Sequence, residues 1–371
     1  MFISSHYKCS FEKNFQLAVS ELLDLARQKD HLVRIVFFGT PSDNLEFKFQ
    51  QCCIASLLGE FFSNRIPAYT YLAQPLLNGA CLGMEMQILE GCSDAVWKYS
   101  QYGPFHYLQV AVGETRMLFL PGITSSNLLD PVRKQSEDIM KIISAILKEE
   151  NFIVSDIVRQ WNYIENITGM ESSVKQRYQE FNDVRSSFYG DSFLKNGYPS
   201  ATGIGTGHGG VQIELDALSD SMLYSRPIDN PKQRAAYDYS ADVLVGTKTK
   251  TTPKFERART VSLISGSWMY ISGTAAIRGE ETIDTNAREQ ALLALDNIRI
   301  LLSDEVINDA GVPGRAELKS LRVYVKYTTD FDSVKKAVEE YYPNLEAIYV
   351  NAGICRNNLL VEMEGYALIV G

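Results

Sequence analysis

Phe119-Leu120-Pro121-Gly122 closes an apolar run, and Arg133-Lys134-Gln135 then opens a helical stretch carrying Ile142, Ile143, Ile146 and Leu147. The same order returns at Ile271-Ser272-Gly273, followed by Arg288-Glu289-Gln290 and a helix with Leu295, Ile298, Leu301 and Leu302. Each helix leads into an apolar strand, Ile157-Val158-Arg159-Gln160-Trp161-Asn162-Tyr163 in the first case and Leu321-Arg322-Val323-Tyr324-Val325 in the second. Helical residues spaced at i, i+3, i+4 and i+7, and strands that alternate or run apolar, mark a repeated unit. Each half reads strand, strand, helix, strand, helix, strand. That is an α+β sandwich, with helices packed on one face of a mixed sheet. Within the first half, residues 11–28 predict a helix, 32–39 a strand, 47–62 a helix, and 81–89 and 107–112 further strands.

A chain of 371 residues, 45% hydrophobic and 22% charged, is long enough for two domains with real cores. The boundaries expected are an N-terminal domain at 1–167, a connecting segment at 168–253 that contributes to the site, and a C-terminal catalytic domain at 254–371. A net charge of −9, with no dense Lys/Arg run, argues against a nucleic-acid partner. The first thirty residues lack the pattern of a signal peptide, and no apolar run reaches the ~20 residues that span a bilayer, so a cytoplasmic protein without a membrane partner is expected. Cys9, Cys52, Cys53, Cys81, Cys92 and Cys355 show no CxxC spacing and read as reduced thiols. His6, His31, His106 and His208 have no metal-binding spacing, so no metal is expected.

Candidate chemistry gathers in a few places. In Cys355-Arg356-Asn357-Asn358-Leu359-Leu360-Val361-Glu362-Met363-Glu364-Gly365, strand alternation puts Glu362 and Glu364 on one face and Val361 and Met363 on the other. Paired acids on a strand are either solvated or working, since buried charges need partners. Arg177 to Arg185 reads as a helix presenting Tyr178 and Arg185, arginine being suited to bidentate capture of a carboxylate; the alternative is a solvated helix face. The glycine-rich run Tyr198 to Gly210, including Thr202 and Gly203, lacks the ending of a phosphate-binding loop, and its glycines suit backbone approach to a small polar ligand. His208 within it reads as a turn residue rather than a base. Ser272-Gly273-Thr274-Ala275-Ala276 ends a strand in small residues and offers backbone N–H groups opposite Arg356 and Glu362. Such a cleft suits acid/base chemistry on a carboxylate without a cofactor.

At these residues the chain resembles the chorismatases, within the Rid/YjgF-like, chorismate-mutase-like structural group. The matching pieces run from Arg159-Gln160-Trp161-Asn162-Tyr163-Ile164 through Arg177-Tyr178, Phe181-Asn182, Arg185, Tyr198 to Gly205, Asn230 to Gln233 with Ala236-Tyr237, Pro253 to Ala258 and Ile271 to Ala275, to Cys355-Arg356 and Leu359 to Glu362. They cover residues 155–371, and the first 110 residues match weakly. The resemblance implies two Rid-like halves, the first degenerate, and an enzyme of secondary metabolism. It would cleave the enolpyruvyl ether of chorismate, or of a close relative, to pyruvate and a hydroxybenzoate without a metal or organic cofactor. Glu362 falls where the family's general acid stands, and Glu364 could raise its pKa by repulsion or serve a structural pairing. The catalytic residues implied are Glu362 and Cys355. Those implied for the substrate are Arg356, Arg185, Tyr178, Tyr198, Thr202, Gly203, Gly273, Thr274 and Ala275. Single Rid-like domains assemble as trimers around shared clefts, and a duplicated chain can build such a cleft internally and remain a monomer.

Cys355 resembles the branch that makes 3-hydroxybenzoate and Ala275 the branch that hydrolyses chorismate to a dihydroxy-cyclohexadiene acid; the favoured product is 3-hydroxybenzoate. Glu280 stands where the family usually has histidine, and Lys326 where arginine is common, which gives up bidentate binding and points to a changed substrate or ring position. The alternatives to a 3-hydroxybenzoate-forming enzyme are a chorismate hydrolase, a Rid-like deaminase of enamines or imines, and a non-catalytic small-molecule binding protein.

Overall fold

The computed structural model describes residues 2–5, 15–90, 94–173, 175–244 and 250–371. His6, Cys9, Cys92 and the beginning of the helix expected at 11–28 lie outside the described residues. The chain forms α+β units in series. The first comprises β1 (Phe2–Ser5), α1 (Phe15–Ala26), β2 (Leu32–Gly39), α2 (Asn44–Phe62), β3 (Ala68–Leu72) and β4 (Leu82–Ile88). The second has β5 (Val96–Tyr102), β6 (Phe105–Val112), β7 (Thr115–Thr124), α3 (Val132–Glu149), β8 (Ile157–Glu165), a small hairpin β9 (Met170–Ser172) and β10 (Lys175–Gln176), α4 (Arg177–Tyr189), β11 (Ser200–Thr206) and β12 (Val211–Leu218). The third has α5 (Ser221–Tyr224), β13 (Ser225–Ile228), β14 (Ala258–Leu263), β15 (Gly266–Ala275), the hairpin β16 (Ile277–Arg278) and β17 (Glu281–Thr282), α6 (Ala287–Leu301), α7 (Asp304–Asp309), β18 (Arg315–Val325), α8 (Phe331–Tyr341), β19 (Glu346–Asn351) and β20 (Val361–Val370).

The strand orders are β3-β2-β4-β1, β11-β8-β12-β7-β6-β5 and β19-β18-β20-β15-β14-β13. Each sheet opens with a parallel pair, and the remaining strand pairs are antiparallel. The repeated segments around Gly122 and Gly273 lie in the second and third units, and the part of the expected N-terminal half that precedes β5 forms a shorter unit of the same order. Residues 168–253, expected as a connecting segment, supply α4 and two strands of the second sheet, β11 and β12, as well as β13 at the edge of the third.

Local chemistry sets the element ends. Asp43 caps α2 by accepting from the N–H groups of Leu45 and Glu46 at 2.8 Å each, and Asn286 caps α6 through the Glu289 N–H at 3.0 Å. The helices bury their apolar stripes against the outer face of their own sheet: Ile139, Ile143 and Ile146 of α3 in the second unit, Ala291, Leu295 and Ile298 of α6 in the third. The other sheet faces share one core, to which the units contribute Val36 and Phe38, Phe119 and Trp161, and Tyr270 and Tyr324. No described helix is long and apolar enough to cross a membrane.

Three buried arginines make ion pairs across that shared core. Arg34 of the first unit meets Glu214 of the second at 3.1 Å and Asp216 at 2.6 Å. Arg159 of the second meets Glu364 of the third at 2.5 Å, and Arg322 of the third meets Glu85 of the first at 2.6 Å. Glu85, Glu214 and Glu364 occupy one register position: each lies opposite the second strand of its sheet, facing Val36, Trp161 and Arg322 respectively. Burial pushes the Glu214 carboxyl above its ordinary pKa, and the charge of Arg34 opposes the shift. Replacing Arg34 with methionine leaves Asp216 and Glu214 buried without their cation, which is expected to cost about 3–5 kcal/mol. Equilibrium urea unfolding should show the corresponding fall in midpoint, and an unchanged midpoint would contradict this role for the pair.

Candidate active site

Strand β20 aims Val361 and Met363 at the helix-side core and turns Glu362 and Glu364 toward the interior between units. Neither acid is solvated: Glu362 is 5% and Glu364 4% exposed. Their environments diverge. Glu364 accepts from Arg159 at 2.5 Å, Trp161 Nε1 at 3.1 Å and Tyr324 at 2.9 Å, from Thr202, and pairs with Arg322 at 2.9 Å. Burial acts to raise its pKa, but the two guanidinium groups and these hydrogen bonds hold it below the ordinary carboxylate value. Glu364 is therefore a structural anion. Glu362, two residues away, is pushed up to about 8 by burial first and by the charge of Glu364 second, against the pull of Arg257, Arg159 and Arg356. It holds a proton at neutral pH.

Glu362 faces a cleft between the second and third units. The ladder between β15 and β20 slips between Ile271 and Thr274, which carries Gly273 out of register beside the acid. A Cβ on Gly273 would run into Oε1 of Glu362, so the carboxyl lies over bare backbone. The N–H groups expected to be free there are taken: Ser272 donates to the Arg257 carbonyl at 3.0 Å and Gly273 to Thr202 Oγ1 at 3.0 Å. The run from Tyr198 to Gly210 is likewise no ligand loop over its first part, since residues 200–206 form β11, parallel to β8. Its glycines answer to packing. At Gly203 a Cβ would come within 2.8 Å of the Tyr178 ring, and at Gly205 within 2.7 Å of the Gly353 carbonyl. His208 lies in the bend that follows.

Of the residues expected at the site, Tyr178, Gly203, Gly273, Ala275, Cys355, Arg356 and Glu362 line the cleft together. Arg356 donates to the Glu280 carbonyl at 2.8 Å and Thr282 Oγ1 at 3.2 Å, with its guanidinium 5.2 Å from the Tyr239 ring centroid. Burial and the nearby Glu362 push the Cys355 thiol up to about 12, so it is a neutral wall group rather than a nucleophile. The other four stand behind the lining. Arg185 is buried, donating to Asn182 Oδ1 at 2.8 Å; Thr202 joins Glu364 to Gly273; Thr274 donates to the Ser272 carbonyl at 2.8 Å. Tyr198 sits among Tyr189, Phe193 and Tyr237.

Arg257 was the residue missed. It lines the cleft, donates to Tyr239 Oη at 2.7 Å and to the Arg234 carbonyl at 2.6 Å, and its buried Nε has no hydrogen-bond partner. The available signal was the alternation Phe255, Arg257, Arg259 entering β14, which sends Phe255 and Arg257 to the cleft and Glu256 away to the Tyr198 N–H. Glu280 and Lys326, whose departures suggested a changed pocket, do not line the cleft. Glu280 accepts from the Ser240 N–H at 2.7 Å and pairs with Arg234, while Lys326 reaches the Asn357 carbonyl at 2.5 Å. Among the described residues no cluster of His, Cys, Asp or Glu could hold a metal ion.

Comparisons with known proteins agree with this architecture. Residues 100–217, nearly the whole second unit, match the family model for the N-terminal part of FkbO/Hyg5-like chorismatases. A 3-hydroxybenzoate synthase of Streptomyces hygroscopicus is 30% identical over 230 residues, which cover 59% of this chain and 65% of that protein. A chorismatase of the same organism is 28% identical over 215 residues, covering 56% and 60%. The chain thus spans less than two thirds of either relative's length. A crystal structure of a chorismatase superposes over 100% of this chain and 98% of its own, with a TM-score of 0.70 at 18% identity. Residues 100–217 accordingly resemble the N-terminal region of FkbO/Hyg5-like chorismatases, and the chain as a whole shares the fold of the solved chorismatase.

Proposed function

We propose that the cleft between the second and third units cleaves the enolpyruvyl ether of chorismate, or of a closely related dianion, to pyruvate and a hydroxybenzoate, with 3-hydroxybenzoate favoured. The observation that carries this reading is Glu362, a carboxylic acid kept protonated to about 8 in a cleft that also presents Arg257 and Arg356. A vinyl ether is activated by a proton delivered to its methylene carbon, and a glutamate of ordinary pKa near 4.3 carries little proton at neutrality. In this reading the C=C electron pair forms the new C–H bond, the ether carbon becomes an oxocarbenium ion, and the delivered proton ends in the methyl group of pyruvate. Net, the hydroxybenzoate outcome takes up no water and the hydrolytic outcome takes up one. The name of one relative, a 3-hydroxybenzoate synthase, supports the first outcome.

Arg356 and Arg257 hold the substrate carboxylates in this account, both fixed by their carbonyl acceptors and the Tyr239 ring. Arg185 acts through Asn182, which lines the cleft, and Tyr178 and Ala275 shape its walls. Cys355, neutral and beside Glu362, bears on which ring product forms. Residues 254–371 carry the acid, and 168–253 complete its cleft through α4, β11 and Tyr239. The small-molecule substrate, the acidic chain and the free described cysteines fit a cytoplasmic setting.

Incubation of the purified protein with chorismate, with pyruvate and ring product followed by chromatography and mass, is expected to give pyruvate and 3-hydroxybenzoate. A non-aromatic dihydroxy acid would make the protein a hydrolase, and no pyruvate would overturn the reading. Glu362→Gln is expected to lower kcat by about 10²–10⁴ while ligand binding persists; full activity in this variant would remove Glu362 from the mechanism. Because the acid form is the active one and exists below a pKa of about 8, kcat/KM should fall as pH rises through that value, about tenfold per unit. A profile that instead falls as pH is lowered through neutrality would require a base. Gly273→Ala should displace the Glu362 carboxyl and reduce kcat with the fold retained, which circular dichroism checks in parallel with turnover.

A further inference from the structure

The frame around Glu362 occurs twice. Across β7 and β12, Thr124 faces Gln212 as Ala275 faces Glu362 across β15 and β20. Gly122 donates its N–H to Thr70 Oγ1 at 2.8 Å, as Gly273 does to Thr202 Oγ1 at 3.0 Å. Thr70 reaches Glu214 at 2.5 Å, and Thr202 reaches Glu364 in the same way. A Cβ on Gly122 would lie 3.0 Å from Gln212 Oε1, the atom corresponding to the one that a Cβ on Gly273 would strike. The interface between the first and second units therefore reproduces the candidate active site, with an amide in place of the acid. An amide has no proton to give to carbon.

This interface holds an open cleft of 410 Å³ under α2, as the candidate active site lies under α4. Its walls differ from those around Glu362. Tyr69, Phe105 and Ile142 give it an aromatic and aliphatic lining, and Lys48 is its only charged lining residue among those described. Ser125 lines it too, 2% exposed, with a buried hydroxyl that has no hydrogen-bond partner. Burial and the neighbouring Cys52 push the Tyr69 phenol up to about 12, so it presents a hydrogen-bond donor at neutral pH. A cleft with apolar walls, one cation, the unspent Ser125 hydroxyl and no acid among its described lining is complementary to a planar apolar body carrying a single negative charge.

We propose that this cleft is a second, non-catalytic site that binds a small aromatic monocarboxylate, with the ring between Tyr69 and Phe105 and the carboxylate at Lys48 and Ser125. The site goes beyond the reaction assigned to Glu362, and its geometry does not depend on that reaction. An aromatic acid formed at one cleft is a ligand of the class the other would take.

The test is ¹⁹F NMR of 3-fluorobenzoate with the full chain. Lys48→Glu reverses the charge, and Cys52→Trp fills the cleft from α2. The expected result is a bound resonance that both substitutions remove or weaken at least about tenfold, the scale of a lost charge-assisted hydrogen bond, and that Arg356→Ala leaves in place. A protein with no bound resonance sensitive to Lys48 and Cys52 overturns the proposal. So does one in which Arg356→Ala removes all bound signal, since binding would then belong to the first cleft alone. Because the Arg356 and Lys48 variants report on different interfaces, failure here and failure of chorismate cleavage are separate results.

Discussion

The ring of buried pairs Arg34–Glu214, Arg159–Glu364 and Arg322–Glu85 is the interaction on which the rest of the molecule depends. Each pair joins a different two of the three units, so the set closes only when all three are assembled. Taking a charge from water costs several kcal/mol, and a neighbour's opposite charge offsets this only where the geometry is good and further hydrogen bonds complete it. Those conditions are met at Glu364, where both carboxylate oxygens are engaged by side chains of two units. The ring therefore ties unit assembly to the electrostatics of the shared core. It also fixes a full negative charge two residues from Glu362, in a place where solvent does not screen it.

Repetition with divergence then explains why one interface holds an acid. Glu362, Gln212 and Gly83 share a register position, opposite Tyr324, Tyr163 and Phe38. A glutamate there is buried over a glycine, beside an anion and within reach of cations, and the balance leaves it protonated. A glutamine in the same frame is neutral at any pH, and a glycine brings no side chain at all. The structural glutamates of the ring are retained in each unit, so the fold keeps its symmetry while the chemistry concentrates at one cleft.

Much of this was legible in the sequence, for identifiable reasons. The duplicated Gly122 and Gly273 segments were visible because helix and strand periods repeat around them, and they correspond to the second and third units. The first unit was read as part of the N-terminal half rather than as a further copy, because its described strands form a four-stranded sheet without the outer strands that make the other two comparable. Strand alternation placed Glu362 and Glu364 on one face correctly, but their burial follows from the neighbouring units, which no local pattern reports. The run from Tyr198 to Gly205 read as a ligand loop because glycine usually weakens a strand; here Gly203 and Gly205 admit the Tyr178 ring and the Gly353 backbone. Arg257 was hidden in a charged stretch whose alternate side chains go to different places, and Glu280 and Lys326 drew weight that their positions outside the cleft do not support.

The central claim is that Glu362 carries a proton at neutral pH because of burial and the fixed charge of Glu364. Infrared difference spectroscopy of the glutamate carbonyl stretch, with Glu362→Gln as the subtraction partner, reads that proton directly across a pH titration. The account predicts a protonated-carboxyl band at pH 7 that is absent from the variant and disappears as pH rises through about 8. A band already lost by about pH 5, the range of an unperturbed glutamate, would contradict it.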